Sequence, residues 1–152
     1  MKKIVLALLS VCMIFATLTC INAIGSTNES VSVAYFEDGS YIIDEDSSGV
    51  ALLATRTTKS KTSTYYASDG TAQWYIKVTG TFTSRNGVTE CIDSSVAAEV
   101  YSSDWKIARK SASYAGRTAV ATAAVNQLLN GAVVNTLVCS LTLTCSSAGT
   151  FY

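Results

Sequence analysis

An all-β fold, a single antiparallel β-sandwich, is what this sequence predicts, and three observations predict it. Turn dipeptides recur at short intervals: Asp69-Gly70, Asn86-Gly87, Ala115-Gly116 and Asn130-Gly131. Between them lie runs rich in Thr, Val, Ile, Tyr and Trp, residues that suit a pleated, half-buried surface. The clearest run, Gln73 to Ser84, alternates Trp74, Ile76, Val78, Gly80 and Phe82 with Tyr75, Lys77, Thr79, Thr81 and Thr83. Such alternation puts one face on a core and the other in water. Six or seven strands of this kind within about 100 residues suit a sandwich that is immunoglobulin-like in the loose sense. A small barrel is the alternative closure.

Residues 1–25 read as a cleavable secretory signal peptide. Lys2 and Lys3 give a positive start, and Ile4 to Thr19 carries no charge. Ala23-Ile24-Gly25 then offers small residues where a signal peptidase needs them, so cleavage is expected after Gly25 or after Ala23. The apolar stretch is shorter than the roughly 20 residues of a membrane span, which argues against an anchor. Cys20 closes the run, but Thr19 precedes it where lipidation prefers Ala or Gly. No second run reaches membrane-span length, so no span is expected after signal removal.

Residues 26–49 read as an acidic arm of coil-like or propeptide-like character. With Val50, they hold Glu29, Glu37, Asp38, Asp44, Glu45 and Asp46 and no basic residue. Residues 51–152 hold nine basic and five acidic residues. Two turn-type runs punctuate the arm, Glu37-Asp38-Gly39-Ser40 and Asp44 to Gly49. Val31, Val33, Tyr35, Tyr41, Ile42 and Ile43 could still pack on the domain edge.

Residues 50–152 form the expected β-domain. Val50 to Thr58 is the first strand, Thr64 to Ala67 a short second, and Gln73 to Ser84 the third. Asn86-Gly87 favours a tight hairpin. Val96, Ala98 and Val100 supply the next inward face, and Trp105 and Ile107 open another strand with Lys106 outward. Thr118 to Leu129 and Ala132 to Thr144 flank Asn130-Gly131, a second hairpin turn. The four alanines of Thr118 to Leu129 also allow a helix capped at Asn130-Gly131; its β neighbours and Thr118, Val120 and Thr122 favour a strand. In the last strand Leu137, Cys139, Leu141, Leu143 and Cys145 share one face.

Cys12 and Cys20 leave with the signal, and Cys91, Cys139 and Cys145 remain. Export exposes them to oxidising conditions, so one bridge is expected. Cys91 and Cys145 both stand at strand–loop borders and are the expected pair. Cys91–Cys139 is the alternative, although Cys139 reads as a buried mid-strand thiol.

No catalytic set survives inspection. The chain has no histidine, which removes most nucleophile–base pairs and the common zinc sites. Ser103-Asp104-Trp105-Lys106 has a Ser-x-x-Lys spacing but lacks the supporting elements that make it chemical. Asp44-x-Asp46-x-Ser48-Gly49 imitates half a calcium loop, yet Thr55 stands where the bidentate Glu belongs. No metal or cofactor is therefore expected. Arg109-Lys110 and Arg56 to Lys61 are too sparse to imply nucleic acid. Asn28-Glu29-Ser30 fits a glycosylation sequon, which matters only in a host that reads it. Aromatic residues could stack on a ligand; Tyr65, Tyr66, Tyr75, Tyr101, Tyr114, Trp74 and Trp105 are the residues that could do so. Parity sends Trp74 and Trp105 to the core and leaves Tyr75, beside Lys77, as the ligand-facing candidates.

Ala54 to Lys59, Ala72 to Thr83 and Ser140-Leu141-Thr142-Leu143-Thr144-Cys145 together resemble a group of short secreted proteins of Gram-positive, clostridia-type bacteria. The resemblance covers roughly residues 50–150 and rests on packing and turn motifs. It implies a secreted bacterial protein and carries over no functional residues. The expected function is a non-enzymatic extracellular or cell-surface module for an unidentified protein or glycan ligand. The alternative is a secreted, bacteriocin-like effector activated by removal of the acidic arm.

Overall fold

The computed structural model describes residues 31–46, 56–85, 87–147 and 149–152. The expected signal peptide and the expected start of the first strand at Val50 lie outside the described residues. Eight strands follow one another: β1 (Val31–Tyr35), β2 (Tyr41–Asp46), β3 (Arg56–Tyr66), β4 (Ala72–Arg85), β5 (Val88–Val100), β6 (Trp105–Ala115), β7 (Thr118–Leu129) and β8 (Ala132–Thr144). They form two antiparallel sheets, a five-stranded one in the order β1-β2-β3-β4-β5 and a three-stranded one in the order β6-β7-β8. Among the described residues no helix is long and apolar enough to cross a membrane.

The alternating run at Gln73 to Ser84 lies in β4, and the ambiguous alanine-rich segment is strand β7. Asn130 and Gly131 take φ values of 51° and 79°, the left-handed pair that turns a two-residue hairpin between Leu129 and Ala132. The two short strands expected at the start of the domain are one continuous β3 within the described range.

From Val31 onward the acidic segment differs from the coil expected of it. Residues 31–46 hold β1, a turn and β2, and β2 pairs with β3 through Ile42↔Tyr65 and Asp44↔Ser63. Two of the acids, Asp38 and Asp46, have partners that accommodate them. Asp38 sits in the turn, where its carboxylate accepts the Ser40 backbone N–H at 3.0 Å. That bond and the Ser40 hydroxyl hold its pKa below the ordinary carboxylate value. Asp46 is buried at the end of β2 against the Lys61 ammonium at 3.2 Å. Asp44 and Asp46 are thus strand residues rather than the start of a calcium loop.

One apolar cluster draws on both sheets. β4 contributes Trp74, Ile76, Val78 and Phe82; β7 contributes Ala119, Ala121, Ala123 and Val125; β8 contributes Leu141 and Leu143. β7 contacts β4 and β5, and β8 contacts β3 and β4. Tyr65 stacks on Trp74 at 5.2 Å and meets Trp105 edge-on at one end of the cluster. Phe82 meets Phe151 edge-on at 4.9 Å at the other. The chain end is tied there, since Thr144 and Tyr152 exchange backbone hydrogen bonds of 2.8 and 3.0 Å.

Gly80 explains why β7 is written in alanine. A Cβ at residue 80 would stand 2.8 Å from the Ala119 Cβ and 2.7 Å from the Phe82 ring. No larger pair fits, so glycine on β4 and alanine on β7 set how closely the two sheets approach.

The expected Cys91–Cys145 bridge is not formed, nor is the alternative with Cys139: all three thiols are free. Cys91 belongs to the five-stranded sheet opposite Phe82, whereas Cys145 follows β8 and pairs with Phe151. Each thiol has its own acceptor, the Asp93 carbonyl at 3.2 Å for Cys91 and the Ser146 carbonyl at 3.5 Å for Cys145. Their backbones do hang from neighbouring carbonyls, those of Gly116 and Arg117. Burial raises all three thiol pKa values above the ordinary range. The folded state therefore holds these protons more tightly, and stability falls as pH rises past the ordinary thiol range.

Two outcomes follow from this packing. Gly80→Ala should lower unfolding free energy in urea by about 1–3 kcal/mol through overpacking, while Thr79→Ala on the opposite face should stay within about 0.5 kcal/mol. A thiol reagent applied without reductant should leave Cys91 and Cys145 unmodified in the native protein. After unfolding it should label all three cysteines of the 91–145 region. Labelling of a single thiol would mean that a bridge forms after all.

A tyrosine band on the outer face of the five-stranded sheet

Register assigns every side chain of the five-stranded sheet to a face. Ile42, Tyr65 and Trp74 are cross-strand partners that point to the core, so Tyr41 and Tyr66 point outward. The same parity turns Tyr35, Val33 and Val31 of β1 outward, together with Ile43 and Glu45 of β2. On β4 it exposes Tyr75 and Lys77, which face Thr64 and Thr62 of β3 and Glu99 and Ala97 of β5.

At the end of this face lies a band of five tyrosines. Tyr35 lies 5.5 Å from Tyr41 at 42°, and Tyr41 lies 4.9 Å from Tyr66 at 9°. Tyr75 stacks on Tyr101 at 5.8 Å and 28°. Tyr101 follows β5 and is fixed by its backbone N–H, which donates to the Gln73 carbonyl at 2.7 Å. A β-bulge between Tyr65 and Tyr66 shifts the register between β3 and β4, between the two stacked groups. The 4.9 Å spacing of Tyr41 and Tyr66 matches the distance between strands, so these two cross-strand rings stack. The ends of the band are the most open, Tyr35 at 72% and Tyr101 at 59% exposure.

The electrostatics tie the band to its flanks. Burial, then the Glu99 carboxylate, then Tyr101 hold the Tyr75 hydroxyl above the ordinary tyrosine pKa. Burial, Glu45, Tyr41 and Tyr101 do the same for Tyr66. Both phenols thus remain neutral donors in any ordinary medium. Glu45, Glu99 and Lys77 border the aromatic strip, and Thr62, Thr64 and Thr79 extend it along the strands.

Of the residues singled out in the sequence, Tyr75 and Lys77 lie on this face, Tyr66 and Tyr101 join them, and Tyr65, Trp74 and Trp105 lie in the core. Tyr114 stands apart on β6. Tyr35 and Tyr41 were missed as ligand-facing residues because they sit in the acidic segment; the alternation from Val31 to Tyr35 was the available signal. The Ser-x-x-Lys spacing spans the β5–β6 connection with Trp105 buried and Lys106 exposed, so it assembles nothing. Among the described residues no cluster of His, Cys, Asp or Glu could hold a metal ion.

Two other surfaces compare poorly. The outer face of the three-stranded sheet is rich in hydroxyls, but they pair with one another: Thr118 with Thr144 at 3.0 Å, Thr122 with Ser140 at 3.3 Å, and Thr136 with Asn126 at 2.9 Å. A shallow, open depression lined by Val88, Thr89, Glu90 and Arg117 lies at the opposite end of the molecule from the tyrosines. It carries no aromatic ring. Comparison with known proteins finds no family model that matches the chain, no matching curated protein and no matching solved structure.

Proposed function

We propose that this chain is a secreted, non-enzymatic binding module whose two sheets form a β-sandwich, and that the tyrosine band recognises an extended glycan. The observation that carries this reading is the band itself: five tyrosines gathered on one outward face, beside rows of threonine. Overlapping ring strips offer apolar contact to the carbon face of a sugar, and phenol and threonine hydroxyls offer hydrogen bonds around its rim. A broad, open face suits a polymer lying across strands better than a small molecule, which prefers a concave pocket. The export signal read in residues 1–25, with cleavage after Ala23 or Gly25, and the resemblance to secreted clostridia-type proteins support an extracellular setting.

The effector reading requires removal of the acidic segment near Val50. That cut would strip β1 and β2 from the five-stranded sheet and take Tyr35 and Tyr41 with them. The binding reading needs no such loss and is preferred.

The test is a binding panel of insoluble and soluble polysaccharides, with extended peptides alongside. One glycan class should bind, and Tyr101→Ala should weaken it by about 1.4 kcal/mol or more, a factor of ~10. Tyr114→Ala, off the band, should leave it unchanged. Binding of peptides alone, or a ligand that ignores Tyr101→Ala, would contradict the glycan reading.

A further inference from the structure

β1 is an open edge. Among the described residues its only strand neighbour is β2. Open edges are ordinarily defended by charge, proline or a bulge. The edge strand β6 carries Arg109, Lys110 and an irregular register, and β8 carries a register shift opposite Gln127 and Leu128. β1 reads Val31-Ser32-Val33-Ala34-Tyr35, without charge, proline or bulge.

The phase of the hairpin shows which backbone groups are free. The Phe36 N–H donates to the Ser40 carbonyl at 2.9 Å, so these two form a hydrogen-bonded pair. Antiparallel ladders alternate hydrogen-bonded and non-hydrogen-bonded pairs. Tyr35, Val33 and Val31 are then the non-hydrogen-bonded partners of Tyr41, Ile43 and Glu45. Their N–H and C=O groups turn away from β2, toward the open side. The residues with free backbone groups are also those whose side chains point outward, and all three are β-branched or aromatic.

We propose that β1 pairs with β1 of a second copy of this chain, antiparallel and centred on Val33. A two-fold axis at Val33 sets Val33 opposite its own counterpart and Val31 opposite Tyr35, in both directions. The strand is therefore its own complement: apolar side chains meet apolar ones, no charge within β1 is opposed, and every free N–H and C=O of the three residues finds a partner. Such a self-complementary patch is what a closed dimer uses. The axis stands perpendicular to the sheet, so the two five-stranded sheets become one of ten strands with both outer faces on the same side. The two Tyr35 residues then lie about 14 Å apart along the strand direction, and both tyrosine bands share a single continuous face. The pairing stands whether or not that face binds a glycan.

The experiment is sedimentation equilibrium of the full chain, expressed with its native N-terminus, alongside amide hydrogen exchange. The wild type should be dimeric in the micromolar range, and the Val33 and Tyr35 amides should gain protection as concentration rises. Val33→Pro removes an outward N–H and no hydrogen bond to β2; Val33→Lys puts two like charges at the axis. Each should weaken the dimer ~10-fold or more, with an unchanged urea midpoint, read at a concentration low enough that wild type and variant are both monomeric, showing that the fold survives. Tyr101→Ala should dimerise as the wild type does, which separates this pairing from ligand binding. A monomer at every concentration would overturn the proposal, as would a dimer that tolerates both Val33 variants.

Discussion

Everything in this molecule hangs on how closely the two sheets approach at Gly80 and Ala119. With no side chain on β4 there and a methyl group on β7, the sheets come close enough for Phe82 to fill the gap beside them. Ala121 and Ala123 of β7 continue the seam, and Trp74, Ile76, Val78, Leu141 and Leu143 supply its bulk from either side. A small chain has little apolar area to spare, so this density is where its stability resides. Because the seam consumes the inward residues of β3, β4 and β5, the alternate residues must face out, and these include the tyrosines.

The band is thus a by-product of parity turned into a surface. Phenols on neighbouring strands are brought to strand spacing and overlap, which stabilises the sheet from outside as cross-strand aromatic pairs do. It also concentrates neutral donors on one face. The charged groups nearby, Glu45, Glu99 and Lys77, flank the strip rather than interrupt it, and burial, then the Glu45 and Glu99 carboxylates, hold the Tyr66 and Tyr75 hydroxyls above the ordinary tyrosine pKa. The sheet that carries the band also ends in the uncharged edge strand β1, so tyrosine face and open edge belong to one sheet.

Much of this was legible in the sequence. The alternation of Trp74 to Phe82 located β4 and its inward face, Asn130-Gly131 located the β7–β8 turn, and Tyr75 and Lys77 were placed outward by parity alone. Residues 31–46 were harder because six acids in the neighbourhood masked a period-two pattern in which only Val31, Val33, Tyr35, Tyr41, Ile42 and Ile43 speak for strands. Asp38 is absorbed by a turn, Asp46 by a lysine and Glu45 by the outer face, none of which composition reveals. The cysteines misled for a related reason: strand-end position suggests a bridge, but all three thiols are free, and those of Cys91 and Cys145 each donate to a backbone carbonyl of their own segment.

The most direct measurement is tyrosine nitration of the protein with and without the bound glycan, read residue by residue by mass spectrometry. Tyr35 and Tyr101 should be nitrated in the free protein and protected in the complex. Tyr114 and Tyr152, 51% and 59% exposed and away from the band, should react equally in both. Protection of Tyr114 or Tyr152 with no change at Tyr35 and Tyr101 would place recognition elsewhere and contradict the tyrosine band as the binding face.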